Sequence, residues 1–250
     1  MEYNSKYGIV HFHDTSWNTK SLKGNSLEID LIESISDNTL QLISEFCNQK
    51  SKEQYILIAS RISASLIDLK KVFFQAGFIT VEHTLDVSSF GLDFEKLSVI
   101  ANKFPVIVED YSANNIAEIE DISAFEFNYG RFHEDPFIHK TIAQNRNKHW
   151  ISNLINQKAS IKVLMKKNVA VGFMAFKIKD NRADLILSAV KENYRHLSYG
   201  FLANVFLGLK EVKEIHSLIS SSNIDVLNLF IYFGFRFENP RFGFHKHLNL

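Results

Sequence analysis

Three groups of residues in this chain have types and spacing suited to chemistry. The first is Lys191–Gly200, K-E-N-Y-R-H-L-S-Y-G, which follows the apolar run Ala183–Val190 and leads into Leu197, Phe201, Val205 and Leu209, four residues apart. The run, rich in branched side chains, reads as a buried strand, and the segment after it as a helix with one apolar face. A helix's first turn presents backbone N–H groups without internal partners. A phosphate placed there is held by those donors and by the helix dipole, and Arg195 adds a charge-assisted bond. Gly200 removes a side chain from that surface, which lets a bulky anion come close. An ordinary strand–helix connection has the same outline, so the pattern alone leaves both readings open.

The second group is Arg131-Phe132-His133-Glu134-Asp135-Pro136, inside the polar loop Phe127–Pro136. An imidazole changes charge in the physiological range, so His133 is the first candidate to accept a proton, with Glu134 and Asp135 after it. Asp135, placed before Pro136, is equally suited to capping the helix that follows. The third group is His245 and His247, which alternate with Phe244 and Leu248 and so share one side of a final strand. No carboxylate or cysteine spacing near them completes a metal site, and no metal is expected. The single cysteine, Cys47, excludes a disulfide framework and gives no reason to invoke a covalent intermediate.

Something must position these groups, and 250 residues suffice for two modest cores or one large one. With 46% hydrophobic and 22% charged residues the chain has the composition of a soluble globular protein. A formal net charge of zero argues against a nucleic-acid partner. No apolar stretch is long enough for a membrane span and the start lacks a signal-peptide core, so a cytoplasmic protein is expected, with a homodimer as the default assembly.

In chain order, residues 7–13 and 27–31 read as strands, 39–46 as a helix, 55–59 as a buried strand, 65–76 as a helix stopped by Gly77, and 78–87 as a strand. Trp17 reads as a packing anchor. Residues 91–115 are less regular, and Pro105 excludes a long helix across them. A helix is expected over 137–153, anchored by Ile142, Trp150 and Leu154. Strands follow at 161–165 and 169–178 around a turn at Lys166-Lys167-Asn168, then a turn at Asp180-Asn181-Arg182 before the Ala183 run. A strand at 214–219, a helix at 224–232 and strands near 235–237 and 242–248 complete the chain. Leu69–Phe78 also aligns with Val226–Phe235 when Gly77 is set on Gly234. Such a repeat arises either from a common helix–Gly–strand unit or from two halves of similar fold.

Taken together, the second half resembles the GCN5-related N-acyltransferase family, most clearly over residues 116–250. The family's pyrophosphate loop has Arg or Gln, two variable residues, Gly, one variable residue, then Gly or Ala. Arg195 and Gly200 match it, and Ser198 replaces the middle glycine. Its later signature is matched in spacing by Asn223, Val226, Leu229, Phe230, Gly234 and Phe235, with Phe230 standing where a tyrosine is usual. Phenylalanine cannot protonate a departing thiolate, although a thiol needs less such help than an alkoxide.

The resemblance implies an α+β fold with a central mixed, mostly antiparallel sheet flanked by helices, preceded by a smaller degenerate unit of the same kind, with domains at 1–110 and 111–250. It implies an acyl-coenzyme A donor, acetyl or 3-hydroxybutanoyl, and no metal. The pantetheine arm would pair with Leu187, Ser188, Ala189 and Val190. The diphosphate would rest on Arg195, His196, Leu197, Ser198, Tyr199, Gly200 and Phe201, with Asn223 and Phe230 completing the donor site. Within the superfamily the two-part organisation is similar to acyltransferases acting on nucleotide-linked amino deoxysugars in bacterial surface-polysaccharide synthesis, which implies a dTDP-linked amino-dideoxysugar acceptor. The resemblance then gives Arg131, His133 and Asp135 to acceptor binding and His133 and Glu134 to proton transfer. A non-catalytic binding protein of the same fold, or an acyltransferase for a protein, amino acid or other small amine, are the alternatives.

Overall fold

A computed structural model describes residues 1–34 and 38–248. The chain divides into two compact units that are not successive lengths of sequence. One comprises residues 1–84, 129–142 and 239–250; the other comprises 85–128 and 143–238.

In the first unit, strands β1 (Glu2–Ser5), β2 (Gly8–Asp14), β3 (Asn25–Ser34) and β4 (Tyr55–Ser63) lie in that order. Helices α1 (Ser16–Leu22), α2 (Thr39–Lys52) and α3 (Ile67–Gln75) connect or follow them. The later part of β11 (Arg236–His247) pairs antiparallel with β4, from Arg241 opposite Ser63 to His247 opposite Leu57. The core of this unit joins Val10, Leu27 and Ile29 of the strands to Ile43 and Phe46 of α2 and Phe73 of α3. Trp17, expected as a packing anchor, is 41% exposed.

The second unit holds the later part of β5 (Ile79–Ser89), followed in the sheet by β10 (Glu214–Ser220), β9 (Arg182–Val190), β8 (Val169–Lys179), β7 (Ser160–Lys166) and β6 (Ile107–Asp110). Two two-residue turns, Lys167-Asn168 and Asp180-Asn181, all four residues with positive φ, close the β7–β8 and β8–β9 hairpins. Paired positive φ values match the twist of the flanking strands, and Asn and Asp tolerate them. Helices α4 (Phe94–Lys103), α7 (Ser198–Leu207) and α8 (Ile224–Tyr232) contribute to a core on one face of these strands. Helices α5 (Ile116–Phe125) and α6 (Lys140–Asn156) contribute to the core on the other. Strand β8 serves both, with Met174 and Phe176 in the first core and Phe173 and Ala175 in the second. Burial on two faces is why its sequence is continuously apolar.

Three expectations are corrected. The 91–115 stretch contains α4, capped by the Asp93 carboxylate on the Lys96 N–H at 2.9 Å and ended before Pro105, followed by β6. Residues 236–247 form one strand rather than two. Helix α6 begins at Lys140, not Phe137, so Asp135 caps a local turn, its Oδ1 accepting the Phe137 N–H at 2.8 Å, and not that helix.

The repeat around the two glycines extends well beyond ten residues. The offset that carries Gly77 onto Gly234 also carries the start of β3 onto that of β9, the end of β4 onto that of β10, and α3 onto α8. Phe73 and Phe78 meet with ring centroids 4.6 Å apart, and Phe230 and Phe235 at 4.7 Å. Both glycines have φ near +80°, where a side chain is strained, and each helix ends with the same pair of backbone hydrogen bonds.

Gly200 is explained by packing. A Cβ built on it would lie 2.0 Å from the Phe104 carbonyl oxygen, at the end of α4. Gly200→Ala is expected to destabilise the protein by about 1–3 kcal/mol, as overpacking does. An unchanged denaturant midpoint for that variant would show that α4 and α7 have room to part.

Candidate functional site

Strands β9 and β10 run parallel and pair from Arg182 opposite Glu214 to Leu185 opposite Ser217. The Ser217 hydroxyl donates to the Leu185 carbonyl at 3.2 Å, and beyond that point the strands continue without further pairing among the described residues. On its other edge β9 stays paired with β8 as far as Val190 opposite Gly172. The edge of β9 after Leu185 therefore presents backbone donors and acceptors to a slot between parting strands, the geometry that accepts an extended ligand as an added strand.

A β-bulge sets the parting. Ala175 stands opposite Leu187 and Phe176 opposite Leu185, which leaves Ile186 as the extra residue. An extra residue reverses the alternation of faces. Leu185 accordingly packs into one core and Leu187 into the other. The first unit repeats the device. Strands β3 and β4 pair as far as Ile29 opposite Ser60, the Ser60 hydroxyl donates to the Ile29 carbonyl at 3.3 Å, and Asp30 is the bulged residue opposite β2. There too the faces reverse: Leu27 and Ile29 are core residues, Leu31 is exposed, and Ile32 packs on the core.

The two forks lead into chain of opposite charge. Beyond the fork at Ile29 the sequence to Asn38 carries three carboxylates, Asp30 and Glu33 within β3 and Asp37 after it, and no cation. After β9 comes Lys191, then a 3₁₀ segment Glu192–Leu197 with Arg195 and His196 exposed at its end, then α7. Ser198 has φ −60° and ψ −35°, so the helix runs on through the position where the family loop has glycine, and its N–H donates to the Arg195 carbonyl. The Glu192 N–H donates to Glu126 Oε2 at 3.1 Å, a carboxylate already seated at this segment's start. Tyr199 and Tyr232 meet edge-on at 5.0 Å, with the Lys96 ammonium 4.8 Å from the Tyr232 ring centre.

Of the remaining residues expected to meet a donor, Leu187 is buried, Ala189 and Val190 half-buried and Ser188 exposed. Leu197 is half-buried and Phe201 wholly buried. Asn223 is the N-cap of α8, its side chain accepting the Val226 N–H at 3.4 Å. Phe230 is a core residue, edge-on to Phe235 and Phe206, like Phe73 at the equivalent place in the first unit.

The second sequence group lies in the first unit, where it meets charged partners that spacing did not suggest. Arg131 is buried and donates from both terminal nitrogens to the two Glu28 oxygens, each at 2.8 Å. Arg61 reaches Glu82 at 2.7 and 2.8 Å and lies 3.9 Å from Glu28. Gly243, opposite Arg61 on β11, makes room, because a Cβ there would lie 2.5 Å from Glu82 Cγ. Burial pushes the Glu28 carboxyl up, but Arg131, Arg61 and His13 outweigh it and bring its pKa down to about 2.

Glu134 Oε1 accepts the Gly130 N–H at 2.7 Å, which closes a turn, and His133 in the same turn is half-buried. Asp135 Oδ2 accepts from His245 Nδ1 at 2.6 Å and from His247 Nε2 at 2.9 Å. Although burial opposes it, hydrogen bonds from His245, His247 and the Phe137 N–H hold this carboxyl well below the usual carboxylate range. Burial is also the main reason that His245 is shifted toward its neutral form. The expectation that no carboxylate accompanies the two histidines is thus corrected: a residue 110 positions earlier supplies it.

No family model matches the chain. It is similar to the spore coat polysaccharide biosynthesis protein SpsD of Bacillus subtilis (strain 168), with 21% identity over 253 residues covering 98% of this chain and 86% of that protein. A functionally unknown conserved protein of Staphylococcus epidermidis has a similar structure, with a TM-score of 0.68 at 14% identity, over 98% of this chain and 92% of that one. A GCN5-related N-acetyltransferase from Sphaerobacter thermophilus gives 0.64 at 11% identity, over 97% and 77%. A tandem GNAT protein from the clavulanic acid biosynthesis pathway gives 0.60 at 10%, over 99% and 82%. At these identities the likeness is one of fold, and the fold is that of the GCN5-related N-acyltransferases. Among the described residues, no helix is long and apolar enough to cross a membrane.

The ion pairs of the first unit make a pH prediction. Because the Glu28 pKa is depressed on folding, its contribution to stability is complete above the unfolded value, near 4.5, and is lost as pH falls toward about 2. Arg131→Met should cost about 3–5 kcal/mol, the loss of one partner from a buried pair. Denaturant midpoints measured between pH 7 and pH 2 should show Glu28→Gln flattening that acid limb; an acid limb like the wild type's would remove Glu28 as its source.

Proposed function

We propose that the chain is an N-acyltransferase that moves an acyl group from coenzyme A to an amine, with the donor held by the second unit. The observation that carries this reading is the parting of β9 from β10 at Leu185 and Ser217, directly before a junction that carries Arg195 and His196. The first unit parts in the same way but is followed by carboxylates, which repel a diphosphate. Only the second fork therefore combines an open strand edge with a cationic exit.

In this assignment the amides of pantetheine pair with the free edge of β9 between Leu187 and Val190, while Arg195 and the donors around Leu197 to Phe201 meet the diphosphate. Coenzyme A supplies the thioester. The amine attacks its carbonyl carbon, the C–N bond forms as the C–S bond breaks, and the amine's proton leaves to a base or to water. Holding two reactants together supplies much of the rate, and no protein nucleophile is needed. His133 is the residue we assign to take the proton. Arg131 and Asp135 are engaged by Glu28 and the two histidines, and we give them the task of holding the His133 segment rather than contacting the acceptor.

The acceptor we propose is a nucleotide-linked amino deoxysugar, of the thymidine-diphosphate class, used in surface-polysaccharide synthesis in the cytoplasm. The similarity to a spore coat polysaccharide biosynthesis protein over nearly the whole chain supports it.

A free-thiol assay that crosses acetyl- and 3-hydroxybutanoyl-coenzyme A with several such sugars should show release with at least one pair. Absence of thiol release with every sugar and with simple amines would leave a binding protein. Arg195→Ala should weaken donor binding about ten- to hundredfold, the loss of one hydrogen bond to a charged group. Glu126→Gln, which removes a carboxylate from the start of the same segment, should tighten it. Equal donor affinity in all three proteins would place the diphosphate elsewhere. His133→Gln should lower turnover by about 10²–10⁴ with donor affinity unchanged, and full turnover in that variant would remove His133 as the base.

A further inference from the structure

Three side chains in the first unit converge on one another, and none of them contacts a reactant in the acyl-transfer reading. His245 and His247 are two residues apart on β11 and so point to one face, and Asp135 comes to them from the Tyr129–Ile138 segment. One nitrogen from each ring and one carboxylate oxygen lie within 4.8 Å of one another. The other carboxylate oxygen is fixed by the Phe137 N–H at 2.8 Å, so the group has an outer support of the kind that orients metal ligands. Asp135 and His245 are fully buried at the side chain, and His247 is 15% exposed.

We propose that Asp135, His245 and His247 bind one divalent transition-metal ion of the zinc class. Two imidazoles and one carboxylate suit zinc, whereas calcium and magnesium ask for more oxygen donors. Tetrahedral bonds of about 2.0–2.2 Å place donors about 3.3 Å apart. The present contacts of 2.6 and 2.9 Å must lengthen to that spacing, and the two ring nitrogens, within 4.8 Å of each other, must meet it as well. Coordination through His245 Nδ1 requires its proton to reside on Nε2. In the metal-free chain Nδ1 carries that proton and donates it to Asp135, so the ion takes the proton's place; Nε2, buried with no hydrogen-bond partner among the described residues, then carries the imidazole proton. The positive charge of Arg131, close enough to act on His245, is balanced by its paired contact with Glu28. The exposed edge of His247 gives the ion its way in and the direction of a fourth ligand, such as water. Bound there, the ion ties the Tyr129–Ile138 segment to β11 and adds its binding free energy to folding.

The test uses the full chain, freed of metal with a chelator, and its readouts do not depend on acyl transfer. Equilibration with zinc followed by gel filtration and elemental analysis should give one ion per chain. Cobalt(II) alone should give visible d–d bands without thiolate absorption, and zinc should raise the melting temperature above that in chelator. His247→Gln, shown folded in chelator by circular dichroism, should lose the bands and the thermal shift, with affinity down at least about tenfold. Asp135→Asn provides a second variant with the same expected loss. A wild-type chain that retains no zinc and shows no thermal shift overturns the proposal. So does a folded His247→Gln chain that binds cobalt as the wild type does.

Discussion

The decisive constraint in the second unit is that one strand cannot satisfy two neighbours once an extra residue is inserted. Ile186 is that residue, and placing it in β9 keeps β9 on β8 while it turns the later half of β9 away from β10. Leu185 and Leu187 then face different cores, so each side of the bulge is held by its own apolar burial. Removing the bulge by a one-residue slip of the later half of β9 would take Leu187 out of its core. A strand edge with unpaired groups is ordinarily a liability, and here it is kept open by packing on both faces.

The same construction stands in the first unit, with Asp30 for Ile186 and Ser60 for Ser217, and there it leads to a different end. Its bulged residue is a carboxylate held by His13 at 2.8 and 2.9 Å, and the buried surface beside it carries Glu28, Arg61, Glu82 and Arg131. These charges pair so completely that they offer little to a ligand, and buried pairs of this kind are seldom a source of net stability. Their effect is on conformation: Arg131 with both nitrogens on Glu28 sets where the chain from Gly130 to Asp135 must lie. Two units built on one strand plan therefore divide their roles, one keeping an open edge and the other holding a polar segment in place.

Much of this is legible in the sequence, and the exceptions have physical causes. The two hairpin turns, the apolar strand pairs and the helix–Gly–Phe repeat are local patterns, which a single window of sequence contains whole. Helix α4 is masked by the irregular composition of 91–115 as a whole, although Asp93 caps a ten-residue helix that ends before Pro105 could interrupt it. The partners of Arg131 and of the two histidines are hidden for another reason. Glu28 lies 103 residues from Arg131, and Asp135 lies 110 from His245, so no spacing rule reaches them. Gly200 is a third kind of case: the missing side chain does make room, yet the occupant of that room is the Phe104 carbonyl.

Ser198 explains why the junction has its present form. A glycine in the middle of a phosphate-gripping turn can take positive φ and let several N–H groups point outward together. A serine prefers the helical well, and here it adopts that well, so the 3₁₀ segment and α7 join into one helical stretch whose Ser198 N–H turns inward to Arg195. On the acyl-transfer reading we propose, the grip on a diphosphate would then rest more on side-chain charge and less on backbone donors than in a glycine-bearing loop. Phe230 shifts the balance in the same direction, because a ring packed against Phe206 and Phe235 brings no proton to the slot. Both substitutions remove polar assistance from the second unit and leave its strand geometry intact. In the site we propose, catalysis by placement would outlast catalysis by acid: the bulge and the parted edge would hold the reactants, while thiolate departure would depend on the modest basicity of the thiolate itself.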